Sequence, residues 1–167
     1  MLHITLKLMV GICLAYYLSL GSAYAKPLTD FDGKPSSIEQ YTGQGKWTIV
    51  MFWASDCLIC NKEARHYDAF HLRHKDRDAF VLGVSLDGQA NKKAAVKFIK
   101  EHDLHFQNII GEAEDIAVFF YDSTGEQWAG TPTFLIYSPQ GKLTVQQIGA
   151  VPVPLLEDFL KQQAVKK

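Results

Sequence analysis

The chain has 167 residues, 47% hydrophobic and 21% charged, which suits one globular domain with a real core. Its formal net charge of −1 gives no electrostatic footprint for a polyanion, so nucleic acid is not an expected partner. No dinucleotide glycine fingerprint occurs, and Gly45-Lys46, followed by Trp47, lacks the spacing of a phosphate loop.

Residues 1–25 differ in kind from the rest. Lys7 is their only lysine or arginine, and no acid appears before Asp30. An apolar stretch from Leu8 to Leu20 leads to Ala23-Tyr24-Ala25, the small-x-small signature of a cleavable secretion signal. The stretch falls short of the roughly 20 apolar residues of a membrane span, and an uncleaved anchor is the alternative. Cys13 leaves with the signal, since Ile12 is bulky where a lipid-attachment box needs a small residue. Export to the periplasm would put the domain of residues 26–167 in an oxidising compartment with Cys57 and Cys60 as its only cysteines. Loss of Lys7 moves its net charge to about −2.

In the following segment, Asp32-Gly33 marks a turn and Gly43 to Lys46 a loop, with Phe31 and Ile38 anchoring short extended pieces. Trp47 to Ala54 is a continuous apolar run, β-branched and aromatic, and predicts a buried strand. Ser55 and Asp56 break it, and either can cap a helix running to about His74, with Cys60, Ala64, Tyr67, Phe70 and His71 on one face. The histidines along that helix read as surface or boundary residues. Phe80 to Leu86 predicts a second buried strand. Asn91 to His102 predicts a helix with Ala94, Ala95, Phe98 and Ile99 inward and Lys92, Lys93, Lys97 and Lys100 on its wet face. Phe106 to Ile110 reads as an edge strand, and Ala113 to Tyr121 as a short helix carrying Ile116, Phe119 and Phe120 inward. Thr133 to Tyr137 and Lys142 to Ile148 form a hairpin about Ser138–Gly141. Pro152 and Pro154 introduce a last helix, Leu155 to about Ala164, with Leu156, Phe159 and Leu160 inward. Strand–helix units closed by a hairpin and a helix predict an α/β sandwich with a mixed sheet.

The chemistry concentrates at Cys57-Leu58-Ile59-Cys60. On a helix, side chains three apart share a face at a Cβ separation of about 5–6 Å, near the 3.5–4.5 Å or so of a disulfide. Unpaired N–H groups and the positive end of the macrodipole favour a thiolate in the first turn, and the thiolate is the nucleophile of disulfide exchange. Cys57 is therefore the candidate attacking sulfur and Cys60 the resolving one. A structural bridge is the bland alternative, although such bridges rarely close so short a loop. Zinc is the sharper rival, with His66, His71 and His74 following. One continuous helix would carry His71 about 16 Å and His74 about 21 Å beyond Cys60, too far to share a metal.

The strand ending F-W-A, the C-x-x-C opening a helix, and G-T-P-T-F-L-I opening a hairpin strand resemble the thioredoxin fold. The strand–helix insert between the C-x-x-C helix and that proline, the opening D-F-D-G-K-P and the turn P-Q-G-K resemble the exported TlpA/ResA/CcmG type, over residues 28–163. The resemblance implies a thioredoxin-like three-layer α/β/α sandwich and a cis peptide before Pro132. It also implies a substrate chain held at Thr131 and Pro132, with Trp53 beside it. Members of this type carry a glutamate six residues after the first cysteine, here Glu63, which implies a proton shuttle to the resolving thiol. Thioredoxin's own buried aspartate is replaced by Met51.

Three departures bear on that transfer. Asp56 stands where these proteins usually place tryptophan, and a carboxylate there raises the neighbouring thiol's pKa unless it turns away to cap the helix. The dipeptide Leu58-Ile59 has neither the proline common in reductases nor the histidine of strong oxidants, and its lack of a cation favours a reducing protein. Ala64-Arg65 replaces the usual hydrophobic–proline pair, so the helix is expected to lack the family's kink. The resemblance thus implies an exported thiol–disulfide reductase with no cofactor beyond its cysteine pair and no metal. A membrane thiol relay of the DsbD type would supply electrons, cytochrome c biogenesis would provide one kind of client, and a monomer is the default. The rivals are a folding oxidase or isomerase and a metal-binding module on the same fold.

Overall fold

The computed structural model describes residues 28–165, and the secretion signal expected over residues 1–25 lies outside them. Within the described residues a six-stranded sheet runs in the order β1-β4-β3-β2-β5-β6. The strands are β1 (Thr29–Asp30), β2 (Trp47–Trp53), β3 (Ala79–Ser85), β4 (Gln107–Ile110), β5 (Thr133–Tyr137) and β6 (Leu143–Ile148). β2, β3 and β4 are mutually parallel, while β5 runs antiparallel to β2, β6 to β5, and β1 to β4. The helices are α1 (Leu58–His74), α2 (Lys92–Glu101), α3 (Ala113–Thr124) and α4 (Val153–Val165).

Alternation along β2 assigns its side chains to two cores. Ile49, Met51 and Trp53 pack with Cys60, Ala64, Tyr67 and Phe70 of α1, with Ala95 and Phe98 of α2, and with Leu156 and Leu160 of α4. Val50 and Phe52 pack on the other face with Ile116 and Phe120 of α3 and with Ile38. Because both faces are covered, the strands read in sequence as unbroken apolar runs. The result is the expected thioredoxin-like α/β/α sandwich.

The structure corrects four local expectations. Ile38 begins a 3₁₀ turn, Ile38–Tyr41, rather than an extended piece. β4 is not an edge, because the two-residue β1 pairs along its free side at Thr29–Ile110 and Asp30–Ile109. The cap of α1 is Cys57 itself, not Ser55 or Asp56. His71 and His74 are buried, not superficial. His71 Nδ1 accepts the Val81 N–H at 3.2 Å, and the His74 ring lies between Asp78 and Glu157. α1 runs unbroken past all three of its histidines, as the zinc reading could not allow.

Candidate active site

β2 ends at Trp53, and a turn closed by the Cys57 N–H on Ala54 O (3.2 Å) leads the chain into α1. A helix start leaves N–H groups without carbonyl partners, and sulfur takes one of them here. Cys57 sits at the cap with φ −74° and ψ 110°, and its Sγ accepts the Cys60 N–H at 3.1 Å. Cys57 and Cys60 form a disulfide with Cα atoms 5.2 Å apart. Cys57 keeps part of its surface, whereas Cys60 is fully buried. The intervening Leu58 and Ile59 are 78% and 48% exposed, an apolar lip on the sulfur pair.

The turn before Cys57 is held from both sides. Asp87, just beyond β3, accepts the Ser55 N–H and hydroxyl, the latter at 2.6 Å, and also the Ser85 hydroxyl at 2.6 Å. From the helix side, Asn61 Nδ2 donates to Ser55 O (3.1 Å) and Cys57 O (2.9 Å). Sequence reasoning singled out neither Asp87 nor Asn61.

Glu63 lies one turn beyond Cys60, with its side chain 27% exposed and Oε2 3.3 Å from His66 Nδ1. It borders an apolar groove of about 430 Å³ between α1 and the Ala150–Pro154 segment. Behind it the Tyr67 hydroxyl donates to Val151 O (2.7 Å) and accepts the Val151 N–H (3.0 Å), tying that segment to α1. Burial pushes the Tyr67 hydroxyl's pKa well up, the hydrogen bond to Val151 draws it back, and the charge of the nearby Glu63 adds to the rise.

The Thr131–Pro132 peptide is cis. Thr133 pairs with Phe52, so Pro132 lies at the end of the sheet from which the Cys57 turn emerges. Its loop is fixed by Gly149 N–H on Pro132 O (2.8 Å) and by the Thr133 hydroxyl on Gly130 O (2.6 Å). Pro132 is buried and Thr131 partly exposed. Cys57, Cys60, Thr131 and Pro132 are thus gathered at one end of the sheet.

Trp53 is a correction. It is fully buried, stacked on Phe98 (ring centroids 4.3 Å apart), with Nε1 donating to Asn108 Oδ1 at 3.1 Å. A side chain with no surface offers none to a substrate, so Trp53 is the wall behind the site. Gly83 makes this possible, because a Cβ at that position would collide with Asn108 Oδ1. Among the described residues, no three His, Cys, Asp or Glu side chains are grouped to hold a metal ion, and no helix is long and apolar enough to cross a membrane.

A disulfide closed over one helical turn at the end of this sheet is an arrangement of the thioredoxin fold. The chain is a member of the AhpC/TSA family, which it matches over residues 22–146, about three quarters of its length. It is 26% identical over 132 residues to the thiol-disulfide oxidoreductase ResA of Oceanobacillus iheyensis, a match covering 77% of this chain and 63% of that relative. It is 22% identical over 120 residues to the sporulation thiol-disulfide oxidoreductase A of Bacillus subtilis, covering 71% of this chain and 69% of the relative. The chain therefore spans just under two thirds of the first and slightly more of the second. Among solved structures, a secreted Mycobacterium tuberculosis disulfide oxidoreductase homologous to E. coli DsbE superposes with a TM-score of 0.64 at 20% identity, over 83% of this chain and 96% of that one. The resemblance drawn from the C-x-x-C and T-P-T motifs holds.

Proposed function

We propose that the protein is an exported thiol–disulfide oxidoreductase working as a reductase of protein disulfides. The observation that carries this reading is the asymmetry of the sulfur pair: Cys57 is accessible at a helix cap and touches a backbone N–H, while Cys60 is fully buried one turn on. In the reduced protein, the Cys57 thiolate attacks one sulfur of a substrate disulfide, forming a mixed disulfide and releasing the other sulfur as a thiolate, which is then protonated. Cys60 next gives up its proton and attacks Cys57 Sγ, which releases the second substrate thiolate and closes the Cys57–Cys60 bond. Two electrons pass from the cysteine pair to the substrate.

Glu63, one turn from Cys60 and three-quarters covered, is the acceptor for the Cys60 proton. Thr131 and Pro132 hold the substrate chain by backbone contact, and the apolar lip of Leu58 and Ile59 meets its side chains. Each turnover leaves a disulfide, so a dithiol donor must restore the pair, in keeping with a membrane thiol relay of the DsbD type. The signal-like residues 1–25 and the secreted relative support export to the periplasm, where the protein acts as a monomer and apocytochrome c is a client of the expected kind.

The test is the reduction potential of the pair by equilibration with glutathione, alongside insulin reduction. The reductase reading expects a value near thioredoxin's, about −270 mV. A value near that of DsbA, about −120 mV, would reverse the direction and make the protein a folding oxidant. Absence of any reversible couple would end the redox reading.

A further inference from the structure

The Asn61 amide meets three polar atoms beyond its own backbone. Its Nδ2 donates to the carbonyls of Ser55 and Cys57, so Oδ1 must be the atom facing His102 Nε2 at 3.0 Å. An amide oxygen only accepts, so the proton between them belongs to His102 Nε2. His102 sits at the end of α2, its ring edge-on to Phe98 with centroids 4.5 Å apart. Burial lowers the pKa of His102, the charge of Arg65 lowers it further, and Glu101 opposes them, which favours a neutral ring with its one N–H on Nε2. Arg65 adds a second strut between the two helices by donating to Glu101 O at 2.9 Å. The amide therefore has one orientation, and that orientation grips the turn carrying Cys57.

We propose that Asn61, oriented by His102, is a positioning residue of the Cys57–Cys60 couple, holding the Cys57 backbone so that its sulfur stays on the Cys60 N–H. This rests on the oxidoreductase reading above. When the pair is reduced, the N–H that touches Sγ in the disulfide is the donor available to the thiolate, and a charge-assisted bond of this kind is the stronger sort. Without the Asn61 side chain the turn keeps Asp87 on the far side of Ser55 and the backbone bonds of Cys57 N–H to Ala54 O and Asn61 N–H to Cys57 O, but loses the amide that bridges the Ser55 and Cys57 carbonyls. The sulfur then drifts from its donor, the thiolate is disfavoured, and attack at mildly acid pH slows. Neither residue touches substrate. Asn61 acts through the Cys57 backbone, and His102 acts through Asn61.

The experiment is the rate of alkylation of the reduced full chain by iodoacetamide from pH 5 to 9, for wild type, Asn61→Ala, His102→Ala and His102→Gln. Asn61→Ala is expected to react about fivefold more slowly at pH 6, the factor corresponding to one hydrogen bond of ordinary net strength, and to reach the wild-type rate at pH 9. His102→Ala is expected to lose about twofold at pH 6, and His102→Gln, which keeps an N–H donor, to recover it. A purely structural role would lower the melting temperature without moving the pH curve, and an Asn61→Ala curve superimposed on wild type overturns the proposal. If Asn61→Ala does not fold, the two His102 variants decide, and a His102→Ala curve identical to wild type overturns it equally. A wild type with no reversible couple sinks the oxidoreductase reading and this proposal together, whereas a normal wild-type couple with unmoved variants sinks this proposal alone.

Discussion

The two ends of α1 carry similar kinds of side chain and put them to opposite uses. At the N-terminal end, the Asn61 amide and the Asp87 carboxylate are spent on the backbone of Ser55 and Cys57, and the sulfur of Cys57 stays accessible. At the C-terminal end, His74 is 4% exposed, with Nδ1 2.7 Å from Asp78 Oδ1 and Nε2 2.9 Å from Glu157 Oε2, its ring stacked on Phe70. Both ring nitrogens of His74 are engaged. Arg73 also falls in the last turn, where the macrodipole favours a cation. A polar cluster becomes a reactive site when its geometry is closed and one valence is left open. With every valence closed it is a brace.

The sharpest test of that contrast is to remove one group from each end. Cys57→Ser should abolish insulin reduction to background while leaving circular dichroism native, because in the proposed mechanism the residue supplies the attacking sulfur, and beyond the disulfide it gives the fold a cap contact. Cys60→Ser should instead trap mixed disulfides, seen as non-reducing gel adducts, because nothing then resolves them. His74→Ala should do the reverse. It opens a cavity and takes one partner each from Asp78 and Glu157, at a cost of about 2 kcal/mol in urea unfolding, moderated because both carboxylates reach solvent and Glu157 keeps Arg73. The reduction potential should not move. A shift in potential comparable to that of an active-site variant would show that the two ends are not independent.

Trp53→Phe lies between the two in expected effect. The ring can still stack on Phe98, but Asn108 Oδ1 loses its indole donor in a buried setting, which should cost about 1–2 kcal/mol. Insulin reduction per folded molecule should hold, as befits a wall rather than a substrate contact. A selective rise in KM with unchanged stability would restore the substrate-contact role that its burial argues against.

Legibility in sequence followed the range of the forces involved. β5 matches its expected span from Thr133 to Tyr137, because an apolar run between Pro132 and the Ser138 turn has only one way to be read. The C-x-x-C stood out because its three-residue spacing is itself the geometry of a disulfide across one helical turn. β1, at two residues, has no period to detect, and without it β4 looked like an edge. Likewise, Asn61 and His102 are 41 residues apart and meet only because the fold brings the end of α2 within side-chain reach of the first turns of α1. The histidines misled for a related reason. A polar ring on a buried face looks superficial until the partners that satisfy it are known, and Glu157 lies 83 residues beyond His74.

The smallest expected effect also divides charge from packing at the braced end. Arg73 donates to Glu157 Oε1 at 2.8 Å, but its side chain is 51% exposed, so Arg73→Ala should cost only about 0.5 kcal/mol at pH 7. Burial alone would raise the Glu157 pKa, yet the hydrogen bonds from Arg73 and His74 outweigh it and hold the carboxyl below its ordinary 4.5. A carboxyl depressed in the fold contributes stability that is present above its unfolded pKa and is lost as pH falls through the folded value. His71 runs the same way at higher pH, since burial lowers its pKa below 6.5, and the unfolded chain gains a proton first as pH falls. Wild-type urea midpoints should therefore decline in two stages, below about 6.5 and then below about 4.5. The gap between wild type and Arg73→Ala should persist through the first stage, where Glu157 remains ionised, and close through the second as Glu157 is protonated in both. A gap still open below the second stage would mean that Arg73 contributes through the apolar stem of its side chain rather than its charge.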